Sequence, residues 1–189
     1  AKDKVVEKSA SKRPDWVGVA TEGYIAVSAT APTMDEAQHK CMADVKQQII
    51  TSVAVNITSD ESYKTLQISQ NELVSVFENY SSNVNTSGAN LPFITGISIS
   101  KAKKIYWEKH YVKSEKRYYY QYHLLYPFTD MERNKWIDEF LAQDKEQYDK
   151  YLVLKENLAS VTNVESIAVA IGELSTLGSY FFDSRRRGE

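Results

Sequence analysis

The residues of this chain that are best suited to bind a ligand are aromatic side chains in its Tyr-rich middle region. They are Trp107, Tyr118, Tyr119 and Tyr120, and lysines are interleaved with them. Aromatic rings beside cationic side chains can stack on sugar rings or on nucleobases. Alternating tyrosines on a strand also pack well against neighbouring strands while their hydroxyl groups stay in water. The pattern favours packing, and the alternative is a weak binding surface for sugars rather than for nucleic acid.

No arrangement of titratable residues in the sequence is typical of catalysis or of metal binding. The three histidines, His39, His110 and His123, lack the spacing of metal ligands. Paired carboxylates lie near helix starts or on polar faces, where negative charge complements the helix dipole. Phosphate loops, dinucleotide fingerprints, nucleophile elbows and zinc-protease motifs are missing from the sequence. We therefore expect a protein that is not an enzyme and that needs no cofactor and no metal.

Composition and charge indicate a folded chain of one domain with an extension. Of its 189 residues, 42% are hydrophobic, which is enough to build a core. The formal charge of −2 excludes a strongly basic protein that coats nucleic acid. Seven cationic residues nevertheless cluster between positions 101 and 117. The cluster predicts a solvated lysine-rich hairpin, with an anion-binding patch as the alternative.

A single cysteine and the lack of a long apolar stretch argue against disulfide-rich, Cys-based zinc-binding and membrane-spanning proteins. Cys41 excludes an intramolecular disulfide and a Cys-based zinc site, and its apolar neighbours predict a small buried side chain. No stretch of the sequence approaches the roughly 20 apolar residues of a membrane-spanning helix. A signal peptide removed ahead of residue 1 remains compatible with the sequence.

Helix starts are marked by capping boxes, in which a Ser or Thr precedes a Glu by three residues at the beginning of an apolar periodic run. The hydroxyl accepts from the third amide of the helix, and the Glu reaches back to the capping amide. The four pairs are Thr33/Glu36, Ser69/Glu72, Thr129/Glu132 and Thr162/Glu165. They predict four helices, with strand-like material between the first three.

The first half of the chain alternates between strand and helix periods. Residues 24–29 read as a short strand, and small apolar residues at every fourth position from 37 to 49 predict a helix that approaches a sheet closely. Alternating apolar residues from 53 onward predict a strand that runs to about residue 63 or 66. A second helix is expected over residues 69–80.

The second half begins with the strongest strand patterns and ends with helical ones. Residues 93–111 and 117–128 predict two strands, and the short polar connection between them suits an antiparallel hairpin. After Thr129 the apolar period is helical, with a polar gap at 142–147 and a further helix over 162–182. Because the connection between these helices is short, they should pair antiparallel.

These elements predict an α+β fold. A small antiparallel sheet is packed by two helices and followed by a long antiparallel C-terminal helical hairpin. The predicted divisions are a flexible tether at 1–12, an α+β domain at 13–128 and a helical hairpin extension at 129–189. The hairpin is expected to leave the body of the domain near Asp144.

The start of the ordered chain resembles a bacterial protein family. Residues 12–17 read Lys-Arg-Pro-Asp-Trp-Val and precede a strand and a helix of small residues. This order is similar to that of the twenty-kilodalton-type envelope lipoproteins and of the related N-terminal domain of flagellar assembly protein T. The resemblance covers residues 12–128. Residues 91–99 resemble the family's strand after the second helix, and residues 118–126 resemble its Tyr-rich final strand.

The resemblance implies a role without catalysis. It implies export, a lipid on a Cys upstream of Ala1, and a lipid-anchored place at the outer membrane, in the periplasm or on the cell surface. We therefore expect a cell-envelope lipoprotein domain that acts through protein–protein contacts or self-association made by the C-terminal hairpin. The alternative is a carbohydrate- or peptidoglycan-binding module that uses the Tyr-rich hairpin. Cys41 stands where the family has an Ala, and residues 129–189 lie outside the family pattern.

Overall fold

The protein has an α+β fold, which confirms the predicted class. The computed structural model describes residues 3–61, 68–82, 91–160 and Val169. Two compact units make up the chain: a sheet unit, Ala1–Ile49 with Ile97–Arg133, and a helical unit, Ile50–Gly96 with Asn134–Glu189. The elements, in chain order, are β1 (Lys4–Lys8), β2 (Tyr24–Ala31), α1 (Met34–Ser59), α2 (Gln70–Ser82), α3 (Pro92–Thr95), a 3-10 turn (Ile99–Lys101), β3 (Lys104–Val112), β4 (Arg117–Pro127) and α4 (Asp130–Ser160).

The four strands of the described residues form one antiparallel sheet in the order β1-β3-β4-β2. Strands β3 and β4 form the predicted hairpin, and Lys116 in its turn has a positive φ of 49°. Strand β2 pairs with β4 along its whole length. Strand β1 pairs with β3, with a bulge between Val5 and Glu7. The central strands β3 and β4 are therefore hydrogen-bonded on both sides.

The flexible tether predicted at residues 1–12 is wrong for Lys4–Lys8, because these residues form the edge strand β1. All five side chains of this strand are exposed, so the sequence carries no apolar alternation that could mark it. Backbone pairing holds the strand instead. At its end the Ser9 N–H donates to the Trp107 carbonyl at 3.0 Å, and the Trp107 N–H donates to Ser9 Oγ at 2.9 Å.

The strand predicted from residue 53 is also wrong, because α1 continues to Ser59. The buried apolar residues of this part of the helix follow a helical period. They are Ile49, Ile50, Val53, Ala54 and Ile57. Burial of this stripe outweighs the slightly lower helix propensity of β-branched residues. The residues predicted to end the strand, 63–66, lie outside the described part of the chain.

The strand predicted at residues 93–111 begins only at Lys104. Residues Pro92–Thr95 form a short helix and Ile99–Lys101 a 3-10 turn. Ser98 favours the turn because its Oγ accepts from the Ser100 N–H at 3.3 Å. The strand that the family resemblance implied at residues 91–99 is therefore wrong.

Three of the four capping boxes lie among the described residues, and each caps a helix. The hydroxyls of Thr33, Ser69 and Thr129 accept from the amides three residues later at 3.2, 3.2 and 3.1 Å. At Ser69 the box is complete, because the Ser69 N–H donates to Glu72 Oε2 at 2.9 Å. The fourth pair, Thr162/Glu165, lies outside the described residues.

Replacing Ser69 with Ala should lower the free energy of unfolding by about 1 kcal/mol, because the first turn of α2 loses a hydrogen-bond acceptor for its amides. Urea denaturation measures the change. Ser75→Ala is the matched control, since the Ser75 hydroxyl lies within the same helix and donates to the Asn71 carbonyl. Equal effects of the two substitutions would show that the box does not stabilise α2.

Helix α4 confirms the first helix of the predicted C-terminal hairpin. The second helix, expected at 162–182, lies outside the described residues. In the helical unit, the Phe140 ring of α4 meets the Phe77 ring of α2 edge to face, with centroids 5.0 Å apart. Asp144 is buried, and the described side chains from Lys145 to Val153 are exposed. Among the side chains that the structure describes, none of α4 beyond the polar gap is buried.

Candidate functional site

The face of the sheet that carries Tyr122 packs against the first half of α1. Ala37, Cys41 and Val45 are fully buried, which confirms the predicted stripe of small residues. Cys41 Sγ lies 3.4 Å from the Tyr122 carbonyl oxygen, to which it donates. Burial, with the nearby Asp44 charge, raises the pKa of the Cys41 thiol to about 12. Cys41 is thus a neutral packing residue, as the sequence indicated.

Towards the hairpin turn the same face carries a surface that we call the aromatic platform. It consists of Trp107, Lys109 and Tyr111 on β3 and Tyr118 and Tyr120 on β4. The Trp107 and Tyr120 ring centroids are 6.1 Å apart, and those of Tyr111 and Tyr118 are 4.9 Å apart. Lys109 Nζ lies 4.7 Å from the Tyr118 centroid and 5.7 Å from the Tyr120 centroid. The register therefore places one cation among four rings.

The rings of the aromatic platform are available to a partner. Tyr118 is 49% exposed, and the other members are half-buried. Ile105, which follows the same parity on β3, is also an exposed apolar residue. Tyr and Trp combine a large apolar area with a polar group, so half-exposed rings on a paired sheet can bind without reordering the backbone.

Of the four candidate residues from the sequence, three come together and one does not. Trp107, Tyr118 and Tyr120 belong to the aromatic platform, whereas Tyr119 lies on the opposite face of the sheet. The Tyr119 ring stacks on His110 with centroids 4.8 Å apart, and its hydroxyl donates to Asp3 Oδ2 at 2.9 Å. Burial and the Asp3 carboxylate raise the pKa of Tyr119. The separation follows from the alternation of neighbouring residues on a strand.

The opposite face holds a second feature that the sequence reasoning missed, which we call the polar cluster. It consists of Tyr106, Glu108 and His110, at alternate positions of β3. Glu108 Oε1 accepts from the Tyr106 hydroxyl at 2.9 Å, and Glu108 Oε2 lies 3.0 Å from His110 Nε2. All three side chains are buried. The available signal was the Tyr-x-Glu-x-His alternation within a strand whose other residues are largely apolar.

Burial and the neighbouring polar and charged groups shift the pKa of Glu108 in opposite directions. Burial would raise the pKa of Glu108, but the hydrogen bonds from His110 and Tyr106 and the Arg13 charge outweigh it and lower that pKa. Glu108 is therefore ionised, and both of its oxygens are engaged. Among the described residues no group of three or more His, Cys, Asp or Glu could hold a metal ion. The cluster ties side chains of β3 together.

His123 of β4 extends the polar face next to the cluster. Its ring stacks on that of Tyr106, with centroids 6.0 Å apart, and its Nδ1 lies 2.6 Å from Ser28 Oγ. Burial, together with the Arg13 charge, lowers the pKa of His123. Among the described residues, His123 Nε2 has no hydrogen-bond partner. A protonated ring would therefore carry its charge in a buried position with the Nε2–H unpaired.

The buried His123 predicts that stability falls in mildly acidic solution. Its pKa in the folded protein lies below the usual 6.5, so near that pH the unfolded chain binds more protons than the folded one. The stabilisation is complete above about pH 6.5 and is lost as the pH falls below it. The lowered pKa of Glu108 adds a further loss below its usual 4.5. We expect Tm to fall between about pH 7 and pH 5, and His123→Asn to reduce that slope.

His39→Asn is the control for this pH dependence, because His39 is exposed on α1 in the same unit. Thermal denaturation at a series of pH values measures both variants. The His39 variant should keep the slope of the parent protein. An unchanged slope in the His123 variant would contradict the assignment of the acid sensitivity to this ring.

Comparisons of the chain with family models, with curated proteins and with solved structures found no match. Within the described ranges no helix is long and apolar enough to cross a membrane.

Proposed function

We propose that this chain is a non-enzymatic domain of the bacterial cell envelope that acts through protein–protein contacts. The observation that carries the proposal is the aromatic platform, where Trp107, Tyr118 and Tyr120 present ring surface on one face of a sheet. Trp and Tyr are enriched at the centres of protein interfaces and contribute much of the binding energy there. Isolated exposed apolar residues are ordinary on a protein surface, whereas contiguous ones mark interaction sites.

The backbone of the aromatic platform supports a binding role. Strand β3 pairs with both β1 and β4, and β4 pairs with both β3 and β2. Their backbone positions are therefore fixed before a partner arrives, which lowers the entropy lost on binding. A platform on two central strands is a more rigid contact surface than a loop of the same composition.

The envelope location and the lipid anchor have a different basis. They rest on the resemblance of residues 12–17, and of the strand and helix that follow, to the envelope lipoprotein family. The C-terminal hairpin is a second predicted contact surface. Its second helix lies outside the described residues, so this surface stays a prediction from the sequence. The aromatic platform is the surface whose geometry supports the proposal.

Site-specific photo-crosslinking in the bacterium that produces the protein tests the proposal. A photoreactive residue at position 118 should yield a discrete protein adduct, because this ring is the most exposed of the platform. The same residue at position 39, which is exposed on α1, serves as the control. Trp107→Ala should remove the adduct formed from position 118. Equal adducts from both positions, or none from position 118, would contradict the proposal.

A carbohydrate-binding module remains the second candidate, and the half-exposed ring pair of Trp107 and Tyr120 favours it. Sugar rings stack on such surfaces without needing charge. Titration of the full chain with peptidoglycan fragments, followed by tryptophan fluorescence, tests this function, and Trp107→Phe identifies the responding residue. Tyr119→Ala is a control here rather than a test, because Tyr119 lies on the opposite face. An unchanged spectrum of the parent protein would exclude this candidate.

A further inference from the structure

We infer that the partner of the aromatic platform is a short acidic segment of another protein. This inference rests on the proposed function, because it names the chemistry of the partner that the same surface binds. Its first support is the charge of the hairpin. Residues 101–117 carry seven cations, and their two carboxylates are Glu108 and Glu115.

The two carboxylates offset only part of this positive charge. Glu108 is buried and accepts from the side chains of Tyr106 and His110. Glu115 is paired with Arg117. The cations that remain are Lys101, Lys103, Lys104, Lys109, Lys113 and Lys116. They create a local positive potential on a chain whose formal charge is −2.

Lys109 brings one of these charges into the aromatic platform itself. Its ammonium group lies within 6 Å of two tyrosine ring centroids, at 4.7 and 5.7 Å. An ammonium that contacts rings on one side can donate to a carboxylate on the other. The edge strand adds one group of each sign to this face, Lys4 opposite Tyr111 and Glu7 opposite Lys109. The Glu7 side chain is exposed, and the register places it opposite Lys109 without burying the ammonium group, which a partner can therefore reach.

The arrangement suits a peptide better than a polyanion. Nucleic acids and anionic membranes are bound by arrays of Lys and Arg that neutralise many phosphates, whereas this face carries Lys109 and Lys4 among aromatic rings. An extended peptide directs alternate side chains to the same face. It can therefore place a carboxylate on Lys109 and an apolar side chain on the Trp107 ring.

Selection of a displayed library of short random peptides on the immobilised full chain tests the inference. The enriched peptides should contain an excess of Asp and Glu, and added salt should weaken their binding. Fluorescence anisotropy with a labelled copy of the most enriched peptide then gives Kd. We expect Lys109→Gln to raise Kd about fivefold or more. Lys135→Gln is the matched control, since Lys135 Nζ lies 5.0 Å from the Trp136 centroid on α4, and it should leave Kd unchanged.

Two further variants separate failure of this inference from failure of the proposed function. Binding that depends on Trp107 and Tyr118, but not on Lys109 or on acidic residues in the peptide, overturns the acidic partner and keeps the contact surface. Binding that survives both Trp107→Ala and Tyr118→Ala overturns the acidic partner and the proposed contact surface alike. Tyr118→Ala is included because this ring is 49% exposed, so its removal takes little buried area from the fold. A selection that enriches nothing, or tighter binding to phosphatidylglycerol vesicles or muramyl glycans, also overturns the peptide partner.

Discussion

Replacing Glu108 with Ala is expected to lower the free energy of unfolding by about 3–5 kcal/mol. The Glu108 side chain is the acceptor for two buried groups, the Tyr106 hydroxyl and the His110 ring. Its removal leaves both of these buried groups without this partner. The cost of two buried unsatisfied groups exceeds the net value of two ordinary hydrogen bonds. Equilibrium urea denaturation at neutral pH measures the change.

Two controls make the Glu108 prediction specific. Glu115→Ala removes an exposed carboxylate from the same hairpin, where it is paired with Arg117, and should change stability by less than about 1 kcal/mol. Glu108→Gln keeps an oxygen that can accept from Tyr106, so it should cost less than the Ala substitution. Equal effects of the two Ala substitutions would show that the polar cluster contributes little.

The second large effect is expected at Phe140. This side chain is 1% exposed and packs edge to face on Phe77 in the helical unit. Replacement by Ala should lower the free energy of unfolding by about 3–5 kcal/mol, because it removes buried area and leaves a cavity between α2 and α4. Urea denaturation followed by circular dichroism measures this loss.

Met131→Ala is the control on the same helix, because Met131 is 82% exposed. It should change stability by no more than about 0.5 kcal/mol. A double-mutant cycle with Phe77→Leu and Phe140→Leu should give a coupling of about 0.5–1.5 kcal/mol for the ring pair. If Phe140→Ala lowered the free energy of unfolding no more than Met131→Ala, packing of α4 against α2 would contribute little to the stability of the helical unit.

Local signals explain the parts of the fold that the sequence predicted. The capping hydroxyls of Thr33, Ser69 and Thr129 each mark a helix start, and they act within one turn of the chain. The stripe of small residues around Cys41 predicted a helix close to a sheet, because side-chain volume sets how near the two can approach. The hairpin of β3 and β4 has strong alternation and a short polar turn.

Elements that depend on distant residues were missed. Strand β1 has five exposed side chains, and only its pairing with β3, about a hundred positions away in the sequence, makes it a strand. The end of α1 shows alternating apolar residues, and burial of residues at a helical period decided between the two possibilities. When a stretch of sequence fits both a strand period and a helix period, its local pattern cannot tell which set of side chains the fold will bury.

The sequence predicted most of the aromatic platform but not the polar cluster, again because it reports local patterns and not distant contacts. Alternation on β4 already separates Tyr119 from Tyr118 and Tyr120, so grouping the three as one surface went against a local rule. The polar cluster depends on burial and on contacts that the sequence does not show. The hydrogen bonds from His110 and Tyr106, and after them the Arg13 charge, keep the pKa of Glu108 low. Sequence reasoning treats a Glu on a strand as exposed, since carboxylates are rarely buried without partners.

The edge position of β1 has a mechanical consequence. Tension transmitted through the residues before Lys4 loads the β1–β3 hydrogen bonds before it reaches the rest of the sheet. Peeling this strand would also break the Asp3 contact to Tyr119 and the Ser9 contacts to Trp107. A pulling force at this end would therefore loosen the backbone beneath one ring of the aromatic platform before it disturbs the central hairpin.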